Sequence, residues 1–252
     1  VDRLRQTLKF FGSDGWTTRT WVALTAALFT VAGAVVALAV ATEDVTQHNG
    51  LSTSDPSHLK FFVDHRGDQL VNLAKVVTEA GAAPLLAVLA LVAAVVLWWR
   101  GAPVIVAVAP TIALGVGGSV AAVAKQVVGR ARPPAGVRLL SETEPSFPSG
   151  HATDSAAFYL TLALIVAVFV LRRPLLRVAT VAAGAAVVGC IGTSRLVLGV
   201  HWPTDVLAGW ALGTIVALVV VLAVAGLNRV TRPSSEGARW RLRVMLLLNA
   251  RR

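Results

Sequence analysis

Six apolar runs, at about 21–41, 83–99, 104–124, 156–171, 176–192 and 206–227, constrain this chain before any motif is read. Several exceed the roughly 18 apolar residues that mark a membrane-spanning helix. The expected architecture is all-α, a polytopic membrane protein with six transmembrane helices forming one integral domain over residues 1–252. Composition agrees, since 56% of residues are hydrophobic and 14% charged, far from the balance of a soluble domain. Ala39-Val40-Ala41 resembles a signal-peptidase site. The run before it is longer than the roughly 7 to 15 residues of a signal core, so it reads as a retained helix.

Charge orients the bundle. The formal net charge is +10, but the basic residues are scattered through short loops and a tail, without the aromatic-interleaved patch of a nucleic-acid binder. Six spans put both termini on one side. Fifteen of the 23 Lys and Arg residues then fall on the side of the termini and eight on the other, while acidic residues divide three against ten. The positive-inside rule therefore expects cytoplasmic N and C termini, with the loops after spans one, three and five outside. The cell (inner or plasma) membrane is the expected location, with a multi-pass topology.

Residues 43–79 are polar and net acidic, with a turn-like Asn49-Gly50 and a helix-start signal at Asp55-Pro56. Leu59, Phe62 and Val63, then Leu70, Ala74 and Val77, recur at helical spacing. They predict short amphipathic helices on the outer membrane surface. His48, His58 and His65 lack companions at ligand spacing and read as solvated loop histidines. The basic tail, 228–252, predicts a cytoplasmic helix resting on the inner leaflet. The single cysteine, Cys190, lies in an apolar run and offers neither a disulfide nor a thiolate metal site.

Three polar groups interrupt this apolar background, all on the connections three-to-four and five-to-six. Ser194 to Asp205 holds Arg195, His201 and Asp205 between two apolar runs, where charged groups are costly unless used. Pro203 suits a first helical turn. That places His201 just outside a helix start and Asp205 four residues on. The carboxylate can accept the proton of one imidazole nitrogen and leave the other lone pair free for attack, although a surface histidine beside a capping aspartate fits the same letters. In Lys125-Gln-Val-Val-Gly-Arg-Ala-Arg132-Pro133, seven residues separate two cations, close to two helical turns. If the helix continues that far, they share a face suited to an anion or to a lipid headgroup. In Pro148-Ser149-Gly150-His151, a hydroxyl and the free N–H groups of a starting helix can cradle an oxyanion, or simply cap the helix.

Taken together, Lys-x6-Arg-Pro, Pro-Ser-Gly-His and Ser-Arg-x5-His-x3-Asp, in that order over Lys125–Asp205, resemble the three-part signature of the type 2 phosphatidic acid phosphatase family. That family includes bacterial phosphatidylglycerophosphate and undecaprenyl diphosphate phosphatases and shares its helical-bundle fold with vanadium-dependent haloperoxidases. The resemblance implies a membrane lipid phosphatase acting at the outer face through a phosphohistidine. His201 would be the nucleophile, Asp205 its tautomer-fixing partner, and His151 the acid toward the leaving oxygen and the base toward water. Lys125, Arg132, Ser149, Gly150 and Arg195 would hold the phosphate. Ser194 would support Arg195, and Asp154 would act as an N-terminal helix charge.

No metal or other cofactor is expected, because cations and helix N–H groups replace it and no carboxylate cluster is present to bind one. The implied partner is a membrane lipid, a prenyl diphosphate or a glycerolipid phosphate. A lipid-to-acceptor phosphotransferase would use the same residues with another acceptor in place of water. An anionic lipid transporter or flippase would instead place charges deep within spans and show an inverted repeat, and neither pattern is found. A haloperoxidase is disfavoured because those relatives are soluble.

Overall fold

The computed structural model describes residues 18–230, in which every regular element is a helix. The principal ones are α1 (Thr18–Gln47), α2 (Asp55–Asp64), α3 (Asp68–Glu79), α4 (Ala83–Trp99), α5 (Ala109–Val128), α6 (Gly150–Val170), α7 (Pro174–Val197) and α8 (Pro203–Val230). Five of these, α1, α5, α6, α7 and α8, are each long and apolar enough to cross a membrane. A sixth candidate is a bent pair of helices. With 17 residues, α4 reaches only about 26 Å at 1.5 Å per residue, short of a hydrocarbon core of about 30 Å. Helix α3 extends it across a 50° bend. At that bend Tyr159 of α6 donates its hydroxyl to the free Ala80 carbonyl at 2.9 Å. The protein is thus an all-α, multi-pass membrane protein.

Several helices outrun the apolar stretches that announce them, because a helix closes its own backbone hydrogen bonds whatever its side chains. Helix α1 passes Ala41 and continues to Gln47, with the Thr42 and Thr46 hydroxyls folded back onto the carbonyls of Leu38 and Thr42. Helix α7 runs to Val197, so Ser194 and Arg195 belong to its last turns and not to the connection after it. Helix α5, in contrast, does not reach Arg132. It stops at Gly129, which takes a left-handed φ of 61° and donates its N–H to the Lys125 carbonyl. The shared helical face expected for Lys125 and Arg132 therefore does not form.

Helices α6 and α8 approach closely. Gly209 and Gly213 of α8 form a small-xxx-small ridge against Ala152 and Ala156 of α6. A Cβ at Gly209 would stand 2.8 Å from that of Ala152, and one at Gly213 would stand 2.5 Å from that of Ala156. Gly117 of α5 approaches Ala157 in the same way, and Gly118 faces Asp154, whereas Gly115 has open space around it. This packing holds the N-terminus of α6 beside that of α8. The segment read as surface helices is also part of the bundle. Helix α3 packs along α7, burying Ala74 and Thr78, and α2 buries Asp55 and Leu59 against α7 and α8. The expected inner-leaflet helix of the tail beyond Val230 lies outside the described residues, as do Arg3, Arg5 and Lys9.

Candidate active site

Four helix ends meet at one pole of the bundle: the C-termini of α5 and α7 and the N-termini of α6 and α8. The loop 129–149 closes over them. That loop has almost no regular structure, yet it is tied down along its length. Ser146 donates its N–H to the Arg130 carbonyl at 2.9 Å, and Leu139 donates its N–H to that of Leu198 at 2.9 Å. Arg66 donates to the carbonyls of Val137 and Val197, and the Trp202 indole donates to that of Ala131.

His201 precedes α8 and is 2% exposed. Helix α8 begins at Pro203, with Asp205 in its first turn, as the sequence predicts. Asp205 Oδ2 accepts the Trp202 N–H at 2.9 Å, while the Asp205 N–H returns to the Trp202 carbonyl at 3.0 Å, the reciprocal arm of a capping box. The same oxygen faces His201 Nδ1 at 3.4 Å. On the other edge of the ring, Arg132 Nη1 stands 3.2 Å from Nε2. A guanidinium carries only donors, so Nε2 must be the acceptor, and the proton resides on Nδ1 toward the carboxylate. Asp205 therefore both caps the helix and fixes the tautomer. Burial pushes the His201 pKa down from 6.5 to about 4; Asp205 opposes this, while Arg195 and Arg132 push it further. The ring is neutral at neutral pH, with its Nε2 lone pair available.

Positive charge surrounds that lone pair. Arg132 is fixed by donating Nε to the Glu144 carbonyl at 2.7 Å and Nη1 to the Val200 carbonyl at 2.9 Å. Arg195, 1% exposed, donates Nη1 to Thr78 of α3 at 2.8 Å and pairs through Nη2 with Glu142. Lys125, 7% exposed, donates to the Pro145 carbonyl at 2.6 Å and lies 4.0 Å from Glu144. Ser149 precedes α6, and its hydroxyl makes no capping bond. Ser149 Oγ and Arg195 Nε are both buried without a hydrogen-bond partner among the described residues. Such unspent capacity is unusual in a folded interior, and phosphate oxygens could use it.

A carboxylate stands among these cations. Glu142 pairs with Arg195 through Oε1 and lies 3.5 Å from Arg132 through Oε2. Burial raises its pKa, but Arg195 and then Arg132 outweigh that and hold it below the ordinary carboxylate range. An oxyanion bridging two guanidinium groups is the arrangement that a phosphate would adopt.

Every residue expected at the site lies at this pole. His151, in the first turn of α6, is within electrostatic reach of Arg195, Glu142, His201 and Arg132. Two supporting expectations fall differently. The Ser194 hydroxyl donates to the Ile191 carbonyl at 2.6 Å and does not brace Arg195, a task that falls to Thr78 and Glu142. Asp154 lies beyond the first turn of α6 and faces Gly118 of α5, with Oδ1 lacking a hydrogen-bond partner among the described residues. Sequence reasoning missed Thr78, Glu142 and Asp55, none of which sits at a telling interval from a motif, and Arg130, which lies inside the first motif at a position its pattern leaves open. The cluster of Lys125, Arg130 and Arg132 was the one available hint.

Residues 102–229 match the family model of the PAP2 superfamily. Lipid A 1-phosphatase of Rhizobium johnstonii is 33% identical over 105 residues, 42% of this chain and 38% of that protein. Phosphatidylglycerophosphatase B of Bacillus subtilis is 36% identical over 102 residues, 39% of this chain and 48% of that protein. Decaprenylphosphoryl-5-phosphoribose phosphatase of Mycolicibacterium smegmatis is 39% identical over 92 residues, 35% of this chain and 44% of that protein. The aligned stretches thus span less than half the length of these relatives. The crystal structure of a transmembrane PAP2-type phosphatidylglycerolphosphate phosphatase from Bacillus subtilis superposes with a TM-score of 0.69 at 23% identity, covering 82% of this chain and 99% of that one, and so shares the fold. Because the family match runs unbroken through α5 to α8 and takes in all three motifs, the chain belongs to the PAP2 superfamily.

Proposed function

We propose that the protein hydrolyses phosphate from a membrane lipid phosphate or polyprenyl diphosphate at the extracytoplasmic face, through a phosphohistidine at His201. The observation that carries the reading is His201 itself, neutral, with its proton on the Asp205 side and Nε2 turned toward the cations. In the first step Nε2 attacks phosphorus in line, the bond from phosphorus to the lipid oxygen breaks, and His151 gives that oxygen a proton. In the second step water attacks the phosphohistidine while His151 takes its proton. The P–N bond breaks and Nε2 regains its lone pair. Arg132, Arg195, Lys125, the Ser149 hydroxyl and the N–H groups at the start of α6 neutralise the charge that builds on the equatorial oxygens. No step draws on a metal, and the termini lie in the cytoplasm.

A lipid substrate is supported by an apolar groove of about 440 Å³ between α3 and α7. Its walls include Leu73 and Val77 on one side and Gly189, Ser194 and Val197 on the other. The same two helices meet again where Thr78 holds Arg195, so a hydrocarbon chain in the groove would have its headgroup near the cations. A Cβ at Gly189 would meet nothing within 4 Å, so a larger side chain there enters the groove without disturbing the bundle. Purified protein in EDTA is expected to release phosphate from phosphatidate, phosphatidylglycerophosphate or undecaprenyl diphosphate. Gly189→Phe should raise KM for the lipid and leave hydrolysis of a short soluble phosphate monoester unchanged. No phosphate release from any of these lipids, or its loss in EDTA, would contradict the proposal.

Glu142 must leave the guanidinium pair when phosphate arrives. Glu142→Gln removes the competing charge and should tighten inhibition by orthovanadate roughly two- to fivefold, the scale of one partly exposed ion pair. Titrating vanadate against phosphate release measures this. Weaker inhibition would mean that Glu142 shapes the site instead of competing for it.

A further inference from the structure

Asp55 is 1% exposed, yet it starts α2, in a segment that none of the three motifs touches. Its partners lie far along the chain. Oδ2 receives Arg130 Nη2 at 2.6 Å, and the other side of that guanidinium donates Nη1 to Asp205 Oδ1 at 2.5 Å. Asp55 also accepts the Thr204 N–H through Oδ1 at 3.0 Å and the Thr204 hydroxyl through Oδ2 at 2.5 Å. Trp202, at the N-cap position of α8, has no side-chain oxygen to offer the orphan N–H groups of the first turn. Asp55 supplies it from 149 residues away. Arg130 in turn donates to Thr204 Oγ1 at 2.7 Å and lies over the Trp202 ring, 5.6 Å from its centroid.

The unit is a carboxylate–guanidinium–carboxylate chain, with the partly buried Arg130 between two buried acids. A lone buried charge is costly; Arg130 pairs with Asp205, and Asp55 pairs with Arg130 in turn. With Oδ1 committed to Arg130, Oδ2 is left for His201 and the Trp202 N–H. We propose that Asp55 and Arg130 are positioning residues for the His201–Asp205 pair, so that the start of α2 completes the active site. This rests on His201 and Asp205 being the reacting pair. It also implies that displacing α2 slows the chemistry without touching the phosphate pocket.

The test reads the proton on His201 as well as turnover. Asp205 of α8, Arg195 of α7, Arg132 and Glu142 of the loop, and His151 of α6 face the ring and are retained throughout. Arg130→Gln removes a positive charge from beside Asp205, so His201 should hold its proton to higher pH. The acid limb of kcat/KM should rise by about one pH unit, with kcat down about 10- to 100-fold. Asp55→Asn keeps Arg130 paired with Asp205 and removes only the outer carboxylate that holds the guanidinium from its other side. It should lower kcat on the same scale with little change in KM, and the acid limb should not rise. Arg130→Lys, keeping the charge, should hold the limb at its native position. The double variant should fall no further than Arg130→Gln alone, since both act along one chain.

Carbethoxylation of His201 against pH, followed by mass spectrometry of its peptide, reports the same proton with no substrate present. It still reads out if the protein shows no activity on the lipids chosen, which separates failure of this proposal from failure of the proposed reaction. Native kcat and native titration in both single variants would overturn the proposal. So would losses that simply track melting temperature, add in the double variant and move the acid limb the same way in every variant.

Discussion

Replacing His201 with glutamine is expected to lower kcat for phosphate release by about 10⁵-fold or more, the scale seen when a covalent nucleophile is deleted. The ring is 2% exposed and neutral at working pH, with its Nδ1 proton directed to Asp205 and its Nε2 edge facing Arg132. Glutamine fills much of the same volume and can still hydrogen-bond to the carboxylate, but it offers no nitrogen lone pair to phosphorus. Arg132, Arg195, Lys125 and Ser149 stay in place, so KM should change little and the melting temperature should hold. A steady-state assay on a lipid phosphate, with thermal unfolding of the same preparation, checks both. Activity within tenfold of the wild type would assign the attack to another group.

Asp205→Asn is expected to cost about 10³- to 10⁴-fold in kcat, with the fold retained. The reasoning is tautomeric. A carboxylate can only accept, so it keeps the proton on His201 Nδ1. An asparagine that turns its NH₂ toward the ring favours the opposite tautomer, with a proton on Nε2 and no lone pair to attack. Arg130 would remain paired with Asp55 at 2.6 Å and could donate to the amide oxygen in place of Oδ1, so no charge is stranded in the interior, while the Trp202 N–H loses its acceptor. Single-turnover kinetics should show slow formation of the phosphorylated enzyme, where His201→Gln shows none. A normal rate of formation would remove Asp205 from the chemistry and leave it only its capping role.

Sequence patterns showed those parts of the site that local chemistry determines. Pro203 starts α8 because its missing N–H would have been an orphan there in any case, and the four-residue step from His201 to Asp205 then brings a carboxylate to the ring. The three motifs were readable because each supplies several chemical groups within a few residues. What could not be read depends on tertiary distance. Asp55 looks like an ordinary helix start, and only the folded bundle reveals that its carboxylate caps α8. Thr78 is an unremarkable residue of an amphipathic helix until α3 packs on α7 and places it against Arg195. Glu142 belongs to a loop without periodicity, so no spacing announces that its carboxylate bridges two guanidinium groups. The failed expectation is equally physical: seven residues at helical pitch join Lys125 to Arg132 only if the helix persists, and Gly129 ends it.

The most direct measurement is a rapid alkaline quench of purified protein mixed with a lipid phosphate carrying ³²P in the reacting group, followed by identification of any labelled peptide under alkaline conditions. The predicted result is an acid-labile, base-stable phosphoramidate on the peptide containing His201, absent in His201→Gln and accumulating in His151→Ala, where water is no longer activated. Label on a different residue, or undiminished turnover with no protein-bound phosphate at any quench time, would contradict the account.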